Sequence, residues 1–346
     1  MGYFREIIDK MEGYTPGFQP KSTDVVKLNT NENPYPASPN VLRAIQNLTA
    51  ENLRRYPDPA ASVFQNAAAK VLGVKTENII CTNGGDDLLN IAVRACCDAG
   101  RPVSYAQPTY SLYPVLAQLQ GCEAIEVKRD SKGSLVQLAE VNAALTIVCN
   151  PNAPTTDFLP VESLAKLAAK LSGVLLIDEA YVDFSDDNAV QLIEKYDNVV
   201  ILRSMSKGYS LAGMRFGYGI AQASLIEGLI KVRDSYPVDA AAIAAAAAAI
   251  GDQDYFKANV QKVKAERTRL TRELRALGFD VPDSQTNFVL VTPPGGNAKE
   301  IYEALVKWNI FIRYFALPGL ENKLRITIGT PQQNDRLLNT LNEITG

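Results

Sequence analysis

The sequence has no histidine among its 346 residues. Within one chain, this absence excludes Ser-His-Asp and Cys-His catalysis, zinc sites built on histidine, and histidine general bases. Proton transfer in any active site of this chain must therefore use lysine, aspartate, glutamate, tyrosine or a cofactor.

Long apolar runs and an excess of one charge are also missing. No run approaches the roughly 20 apolar residues that a membrane-spanning helix needs. The first ten residues, M-G-Y-F-R-E-I-I-D-K, mix charges with apolar side chains, unlike a signal peptide. The net charge of −3 is too balanced for a protein that binds nucleic acid or a membrane surface. We therefore expect small-molecule partners, with no nucleic acid and no membrane.

Cysteine is scarce and irregularly spaced. The cysteines are odd in number, show no zinc-finger spacing, and mostly stand in apolar surroundings such as T-I-V-C. Buried, reduced thiols in a cytoplasmic protein explain this pattern better than a redox or metal role, so we predict no metal. The five positions are Cys81, Cys96, Cys97, Cys122 and Cys149.

The chain is long enough for two domains. From about Val63, helical patterns alternate with near-continuous apolar segments, which is typical of an α/β fold with a mostly parallel sheet covered on both faces. We predict an N-terminal arm over residues 1–47 that forms part of the small domain, a large domain over 48–252, and a smaller C-terminal α/β domain over 253–346. The predicted strands of the large domain are 78–82, 102–105, 123–127, 145–149, 174–177, 199–203 and 216–221, and an alanine-rich helix is predicted over 240–250.

Polar residues follow several of these strands. Asn150 comes directly after one strand and Asp178 after the next, while Lys207 follows a third within R-S-M-S-K-G. An earlier strand ends in T-N-G-G-D, where Gly85 opens a helix. In open parallel sheets, ligands collect at the carboxyl ends of the strands. We therefore expect an amide, a carboxylate, an amine and an anion-binding helix N-terminus to converge on one crevice.

One ligand needs all four groups, and it is pyridoxal 5′-phosphate. Its aldehyde requires an amine, Lys207, and its ring nitrogen needs a carboxylate, Asp178, to stay protonated as an electron sink. Its 3-oxygen needs a donor, for which Asn150 is available. Its phosphate needs backbone amides, hydroxyls and a cation, and the residues predicted to supply them are Gly85, Asp86, Ser204, Ser206 and Arg215.

Each residue also has a structural explanation when taken alone. Asp178 could cap a helix, and Asn150 before proline is a common start of a turn. Other motifs are incomplete: S-M-S-K matches S-x-x-K without the S-D-N and K-T-G elements, G-Y-S-L-A lacks the histidine of a nucleophile elbow, and no G-x-G-x-x-G follows a strand. The shared placement of the polar residues at strand ends favours the pyridoxal-phosphate hypothesis.

Three motifs give the sequence a family resemblance: N-P-N-A-P-T, D-E-A-Y-V-D-F and S-M-S-K-G-Y-S-L-A-G-M-R-F-G. With the arm K-L-N-T-N-E-N-P-Y-P and the elements R-Y-P-D-P, Q-P-T-Y-S-L-Y and L-R-I-T-I-G-T, the chain resembles the fold-type I pyridoxal-phosphate aminotransferases over nearly its full length, and their histidinol-phosphate subgroup most closely. The resemblance implies the aspartate aminotransferase-like fold and a homodimer. It implies that histidinol phosphate and 2-oxoglutarate are interconverted with imidazole acetol phosphate and glutamate, as in histidine biosynthesis.

The resemblance also implies roles around the cofactor. The amine and the carboxylate named above would be catalytic together with Tyr181. Tyr181 and Asn150 would contact the ring 3-oxygen, and Tyr110 would stack on the ring. Tyr56 would reach the cofactor phosphate of the neighbouring subunit. The bond between Asn150 and Pro151 is expected to be cis, as is frequent at this position of the fold.

On the substrate side, the resemblance implies that Arg325 pairs with the α-carboxylate of glutamate, where a bidentate guanidinium fits well. Arg313 would hold the substrate phosphate, and Tyr14 and Asn33 on the arm would close over the substrate. Three positions depart from the family pattern, namely Phe18, Thr156 and Pro237. Two other reactions on the same fold stay open, threonine-phosphate decarboxylation and aromatic amino-acid transamination, and a non-catalytic relative is disfavoured by the intact lysine, aspartate and arginine.

Overall fold

The computed structural model describes residues 2–14, 17–20, 24–129 and 134–345. Residues 15 and 16 of the arm motif Y-T-P-G-F-Q-P lie outside the described residues. The strands are β1 Val26–Lys27, β2 Ile79–Thr82, β3 Val103–Gln107, β4 Ala124–Lys128, β5 Leu145–Cys149, β6 Val174–Asp178, β7 Val199–Ser204, β8 Gly217–Ala221, β9 Phe288–Val291, β10 Ile310–Phe311, β11 Arg313–Tyr314 and β12 Leu324–Thr327.

The α-helices alternate with these strands through most of the chain. They are α1 Glu6–Lys10, α2 Pro39–Gln46, α3 Ala50–Arg54, α4 Ser62–Leu72, α5 Gly85–Cys96, α6 Leu112–Gln120, α7 Ser134–Glu140, α8 Val161–Ala168, α9 Ala223–Ile230, α10 Ala240–Gly251, α11 Gln253–Ala276, α12 Ala298–Lys307 and α13 Pro331–Thr345. Within the described ranges, no helix is both long and apolar enough to cross a membrane.

Seven strands form the central sheet, in the order β2-β8-β7-β6-β5-β3-β4. Only β8 runs against its neighbours β2 and β7, and the other pairs are parallel. The prediction of a mostly parallel sheet in an α/β fold is thus confirmed, and each predicted strand lies within two residues of the observed one. Because β2, β5, β6 and β7 all run in the same direction, their carboxyl ends share one edge of the sheet.

Helices cover both faces of this sheet because its strands are apolar on both sides. In β6, Ile177 packs with α4, α8 and α10 on one face, while its neighbour Leu176 packs with α5, α6 and α9 on the other. This alternation follows from the two-residue period of a strand. The alanine-rich helix α10, predicted over 240–250, packs against α2 and α4, and its small side chains permit that close approach.

A smaller antiparallel sheet has the order β11-β12-β9, and the short strands β1 and β10 pair in parallel. The apolar core beneath the smaller sheet combines the N-terminal residues Val26 and Leu28 with residues from α11, α12 and α13. In contrast, Val41 of α2 packs into the core of the central sheet. The N-terminal segment therefore runs from one apolar core to the other, and the residues between them pass the carboxyl edge of the central sheet.

The backbone explains one departure from the family pattern. Thr156 has φ = 70°, in the left-handed region that glycine adopts without strain. Its N–H donates to Asn152 O at 3.0 Å, and its hydroxyl donates to Asp283 O at 3.3 Å. The threonine side chain thus links the central-sheet loop to the segment that precedes β9, a contact that glycine could not make.

Candidate active site

Lys207 and Asp178 face the same cleft at the carboxyl edge of the central sheet. The Lys207 Nζ lies 5.6 Å from the centroid of the Tyr181 ring, and the side chain of Asp178 lies close enough to Tyr181 to raise the pKa of its phenol. The charge of Asp86 raises the pKa of both Lys207 and Asp178. Both groups therefore lie near the same two side chains, Tyr181 and Asp86.

Asp178 is a buried carboxylate whose hydrogen bonds come from neutral groups. Its Oδ2 accepts from the Tyr113 hydroxyl at 2.7 Å, and its Oδ1 accepts from Ala180 N at 3.1 Å. Burial raises its pKa to about 6, although both hydrogen bonds act in the opposite direction. Within the described residues it forms no ion pair with lysine or arginine. A buried carboxylate without a protein cation suits the protonated ring nitrogen of pyridoxal phosphate.

Lys207 carries an amine that loses its proton easily. Its pKa is lowered to about 8, mainly by burial and also by the positive charge of Arg325. Its Nζ lies 3.5 Å from Thr30 O, and Glu32 acts on the pKa in the opposite direction. A neutral amine is the form that attacks an aldehyde or accepts a proton, so this environment suits both tasks.

Buried charges beneath the lysine loop fix its backbone. Arg203 Nε donates to Glu179 Oε2 at 2.7 Å, and both side chains are buried. The carboxylate of Asp183 accepts a hydrogen bond from Gly208 N, directly after the lysine. A Cβ on Gly208 would lie 2.3 Å from Asp183 Oδ2, so only glycine fits there. Sequence reasoning missed these three charged residues, although they stand inside the motifs D-E-A-Y-V-D-F and R-S-M-S-K-G.

The predicted phosphate-binding residues surround the N-terminus of α5. The Arg215 Nη2 atom lies 3.4 Å from Asp86 Oδ2 and covers Gly84, whose φ of 84° suits glycine. Ser204 Oγ accepts from Ser206 N at 3.2 Å. Free N–H groups at a helix start, a guanidinium and two hydroxyls make a site for a phosphate.

Gly217 lets this turn approach the sheet. A Cβ there would lie 2.5 Å from the carbonyl carbon of Gly84 and 2.7 Å from Gly85 N. The α5 N-terminus therefore rests directly on the first residue of β8, which places the phosphate site beside the lysine loop.

Aromatic side chains form one wall of the cleft. The Tyr110 hydroxyl donates to Asp86 Oδ1 at 3.1 Å, and its ring meets those of Tyr14 and Tyr113 edge to face, with centroids 5.8 and 5.7 Å apart. Tyr14 thus brings the N-terminal arm to the site. The structure places the predicted stacking tyrosine and the predicted arm tyrosine side by side.

Asn150 holds its own loop through its side chain. Its Nδ2 donates to Leu159 O at 3.1 Å, and its Oδ1 accepts from Leu159 N at 2.7 Å. The bond between Asn150 and Pro151 is cis, as predicted, and so are Gln107–Pro108 and Ala153–Pro154. Contact between Asn150 and the ring 3-oxygen stays a prediction, and it would use the remaining amide hydrogen.

Two arginines lie opposite each other at the mouth of the cleft. Arg313 of β11 pairs with Arg325 of β12 across the small sheet. Arg325 Nη2 donates to Asn29 O at 2.8 Å, but its buried Nε has no hydrogen-bond partner. Neither guanidinium forms an ion pair with a carboxylate among the described residues. Like charges at adjacent positions with an orphaned donor are the arrangement expected of a binding site for anionic groups.

The arm residue Asn33 contacts the lysine loop. Its Nδ2 donates to both Lys207 O and Gly208 O at 3.1 Å, and its Oδ1 accepts from Tyr35 N at 3.1 Å. Its closure over the substrate stays a prediction. In this structure its amide holds the backbone of the lysine loop. Asn31, which sequence reasoning did not single out, donates to the Tyr181 hydroxyl at 3.0 Å. Its place in the quoted arm motif N-T-N-E-N-P was the available signal.

Tyr56 lies on the surface, away from the groups described above. Its side chain is 80% exposed, and its ring stacks on Tyr236 with centroids 4.4 Å apart. Within the described residues, no hydrogen bond or ring contact joins it to the cleft of its own chain. A role at a cofactor site therefore requires a second chain.

The family model for aminotransferase class I and II matches residues 23–341. Histidinol-phosphate aminotransferase 1 of Trichormus variabilis is 49% identical over 345 residues, covering 99% of each chain. The histidinol-phosphate aminotransferase of Citrifermentans bemidjiense is 44% identical over 342 residues and 98% of each chain.

A solved structure also matches over the whole chain. The histidinol-phosphate aminotransferase of Sinorhizobium meliloti in complex with pyridoxal-5′-phosphate has a TM-score of 0.90 and 27% identity. The match covers 100% of this chain and 98% of that one. The expected aspartate aminotransferase-like fold is confirmed by this similarity and by a Thermus thermophilus aspartate aminotransferase variant with a TM-score of 0.82.

The lowered pKa of Lys207 predicts how the empty enzyme captures its cofactor. The rate of capture should rise with pH around a midpoint near 8, because only the neutral amine attacks the aldehyde. Arg325→Met should move this midpoint upward, because it removes a positive charge that lowers the pKa. Stopped-flow absorbance after mixing with pyridoxal phosphate measures the rate. Arg272→Met, on the exposed face of α11, is the control, and a midpoint near 10 in the unmodified enzyme would contradict the assignment.

Proposed function

The chain belongs to the class I and II aminotransferases and depends on pyridoxal 5′-phosphate, and we propose that it interconverts histidinol phosphate and 2-oxoglutarate with imidazole acetol phosphate and glutamate, a step of histidine biosynthesis. The observation that carries the choice of substrate is the pair of arginines, Arg313 and Arg325, which have no carboxylate partner among the described residues. Both substrates that exchange the amino group are anions, and one of them carries a phosphate. The relatives named above act on this substrate according to their names.

Pyridoxal phosphate supplies an aldehyde that takes up the amino group and a protonated ring that accepts electrons from the substrate. The protein supplies the groups that hold and move protons. Asp178, buried and free of other cations in the described structure, keeps a proton on the ring nitrogen. Tyr181 presents its hydroxyl to the ring 3-oxygen. These two residues make the ring a better electron sink without reacting themselves.

Lys207 serves as both tether and base. With the cofactor bound, its amine would hold the aldehyde, and once a substrate's amino group had replaced it there, the freed amine would be the group that carries the proton of the substrate α-carbon. A pKa of about 8 leaves a useful neutral fraction near neutral pH, whereas an ordinary lysine would have almost none. In a chain without histidine, this lowered pKa makes the lysine a suitable general base.

The substrate anion would lie against the arginine pair. Arg325 offers a buried, unpaired Nε and lies close enough to lower the pKa of Lys207. It is therefore the better partner for a group next to the reacting carbon. Arg313 lies one strand further out and is half-buried, which suits a second anionic group. Gly17 of the arm approaches Arg313, so the arm is placed to cover the bound substrate.

The other two reactions on this fold remain alternatives with distinct products. A threonine-phosphate decarboxylase would release carbon dioxide from a phosphorylated amino acid. An aromatic aminotransferase would accept substrates without phosphate. Relatives at 41–49% identity carry neither name, and the paired arginines disfavour the aromatic substrate.

The proposal predicts a complete half-reaction that depends on Lys207. Histidinol phosphate should convert the visible band of the bound cofactor into the band of the aminated form, and 2-oxoglutarate should restore it, without release of carbon dioxide. Lys207→Ala should lose at least ~10²–10⁴-fold in turnover, because it removes both the base and the tether. Absorbance spectroscopy and a carbon dioxide assay make the measurement. Turnover at the unmodified rate in the alanine variant would refute the role, and Lys195→Ala is the surface control.

Phosphate recognition by Arg313 predicts a change in substrate preference. Arg313→Met should lower the preference for histidinol phosphate over histidinol, measured as the ratio of kcat/KM values, by about 10-fold or more, because a charge-assisted hydrogen bond is lost. Arg336→Met, which changes an exposed arginine of α13, should leave the ratio unchanged. An equal loss for both substrates would assign Arg313 to a different part of the substrate.

We also propose a homodimer in which Tyr56 reaches the partner's cofactor phosphate. Apolar side chains around Tyr56 are exposed to an extent unusual for a monomer. Leu53, three residues before Tyr56, is 71% exposed, and the exposed Tyr56 ring stacks on Tyr236. A second copy of the chain would cover this surface and complete the phosphate site with a hydroxyl.

Mixed dimers test this arrangement. Tyr56→Phe and Lys207→Ala subunits, unfolded together and refolded, should give more activity at limiting cofactor than the two variants measured apart, because each mixed dimer contains one intact site. Mixing Asp178→Ala with Lys207→Ala should give no gain, because both residues then act within one chain. Absence of a gain in the first mixture, with dimers present by light scattering, would place Tyr56 outside the site.

A cytoplasmic location completes the proposal. All five cysteines are free, and burial raises the pKa of their thiols, as in proteins of reducing compartments. Fractionation that found the protein outside the cytoplasm would contradict it.

A further inference from the structure

We propose that Asn31, held by Thr327, is a positioning residue that turns the hydroxyl proton of Tyr181 toward the cofactor. This inference rests on the proposed function, since it concerns the same site. Asn31 lies outside the central sheet, on the segment between β1 and α2, and its side chain is 1% exposed. Its φ of 55° directs this side chain inward.

The polarity of the hydrogen bonds around Asn31 is fixed by Thr327. The Thr327 hydroxyl accepts from Asn31 N at 3.0 Å and donates its single proton to Asn31 Oδ1 at 3.1 Å. The amide oxygen thus faces Thr327, and the amide nitrogen faces Tyr181. In addition, Asn287 Nδ2 donates to Asn31 O at 2.9 Å and anchors the backbone.

This polarity decides where the Tyr181 proton points. Asn31 Nδ2 donates to the Tyr181 oxygen at 3.0 Å, so the phenol accepts from that side and must direct its own proton elsewhere. Tyr181 is packed edge to face on Phe288, with centroids 5.1 Å apart, and lies beside the amine of Lys207. The open direction is the cleft, where the ring 3-oxygen needs a donor. A neutral asparagine thus makes the tyrosine a donor toward the cofactor and strengthens it in that role.

The electrostatics of the site agree with this geometry. Burial raises the pKa of Tyr181 to about 12, while the charge of Arg325 and the hydrogen bond from Asn31 both lower it. Asp178 and Cys149 act to raise it. Asn31 is therefore one of two groups that make the phenol a better proton donor, and it is the one that also fixes the direction of the donated proton.

Neighbours of Asn31 on the same segment contact Arg325 and Lys207, the proposed substrate-binding and catalytic residues. Asn29 O accepts from Arg325 Nη2, Thr30 O lies 3.5 Å from Lys207 Nζ, and Asn33 Nδ2 donates to Lys207 O. The segment 29–33 therefore sets the substrate-binding guanidinium, the amine and the tyrosine relative to one another. A purely structural role for Asn31 is the competing explanation. A pH-dependent absorbance measurement separates it from the proposed positioning of the Tyr181 proton.

The test uses the absorbance of the loaded enzyme as a function of pH. A donor to the ring 3-oxygen favours loss of the proton from the nitrogen that joins Lys207 to the cofactor, so losing the donor should raise the pH midpoint of the visible absorbance change. Asn31→Gly suits the positive φ and removes the amide. We expect the pH midpoint of the absorbance change in this variant to rise by about 0.5–1 pH unit, which corresponds to the free energy of one hydrogen bond.

Thr327 provides a matched pair that does not touch the cofactor. Thr327→Ser keeps the hydroxyl and should keep the midpoint, whereas Thr327→Val frees the amide to turn over and should raise it. A Tyr181→Phe background is the second control. There the Asn31→Gly substitution should give no further shift, because the phenol through which it acts is gone.

The outcomes separate this inference from the proposed function. If the unmodified enzyme binds no cofactor in a visible band, the proposed function fails. If that band is present but Asn31→Gly and Thr327→Val leave its midpoint unchanged, or shift it equally in the Tyr181→Phe background, the inference is overturned. If Asn31→Gly does not fold, the comparison of Thr327→Val with Thr327→Ser decides.

Discussion

The structure depends on keeping a carboxylate and an amine buried in one cleft without pairing either to an opposite charge of the protein. Asp178 takes its hydrogen bonds from a phenol and a backbone amide, and Lys207 lies near the positive charge of Arg325. Both pKa values move toward neutrality because burial disfavours the charged forms. The proposed cofactor would supply a partner for each group: a protonated ring nitrogen for the carboxylate and an aldehyde for the amine.

The sheet makes this arrangement possible. Parallel strands end at one edge, so residues far apart in sequence become neighbours there, while the helices on both faces exclude water beneath them. The buried Arg203–Glu179 pair then supports the lysine loop from below, and Asp183 holds Gly208 N. The small sheet adds the arginines from the other side of the cleft. Binding groups and chemical groups are therefore carried by separate units, joined by the segment 29–33.

The sequence predicted the parts that follow from local rules. Apolar runs located the seven central strands within two residues, and polar residues at their ends located Lys207 and Asp178 in one cleft. The contacts of Asn150 were not predictable, because its amide could face either the ligand or its own loop, and in the structure it bonds to Leu159. Asn31 was missed for a similar reason. Its role depends on Thr327, which lies almost three hundred residues away and meets it only through the pairing of the small sheet with the N-terminal segment.

The absence of histidine gives Arg325 a second task. The same guanidinium that carries an unpaired Nε, and that we propose binds the substrate, also lowers the pKa of Lys207. In the enzyme without cofactor, this charge lowers the pKa of the amine and so raises its neutral fraction. An anion bound to Arg325 cancels part of that charge, so the affinity of the amine for a proton rises as the substrate arrives. The amine would then be a stronger base in the complex that contains the proton to be removed, so under the proposed function a lysine and an arginine together supply acid–base chemistry in a chain without imidazole.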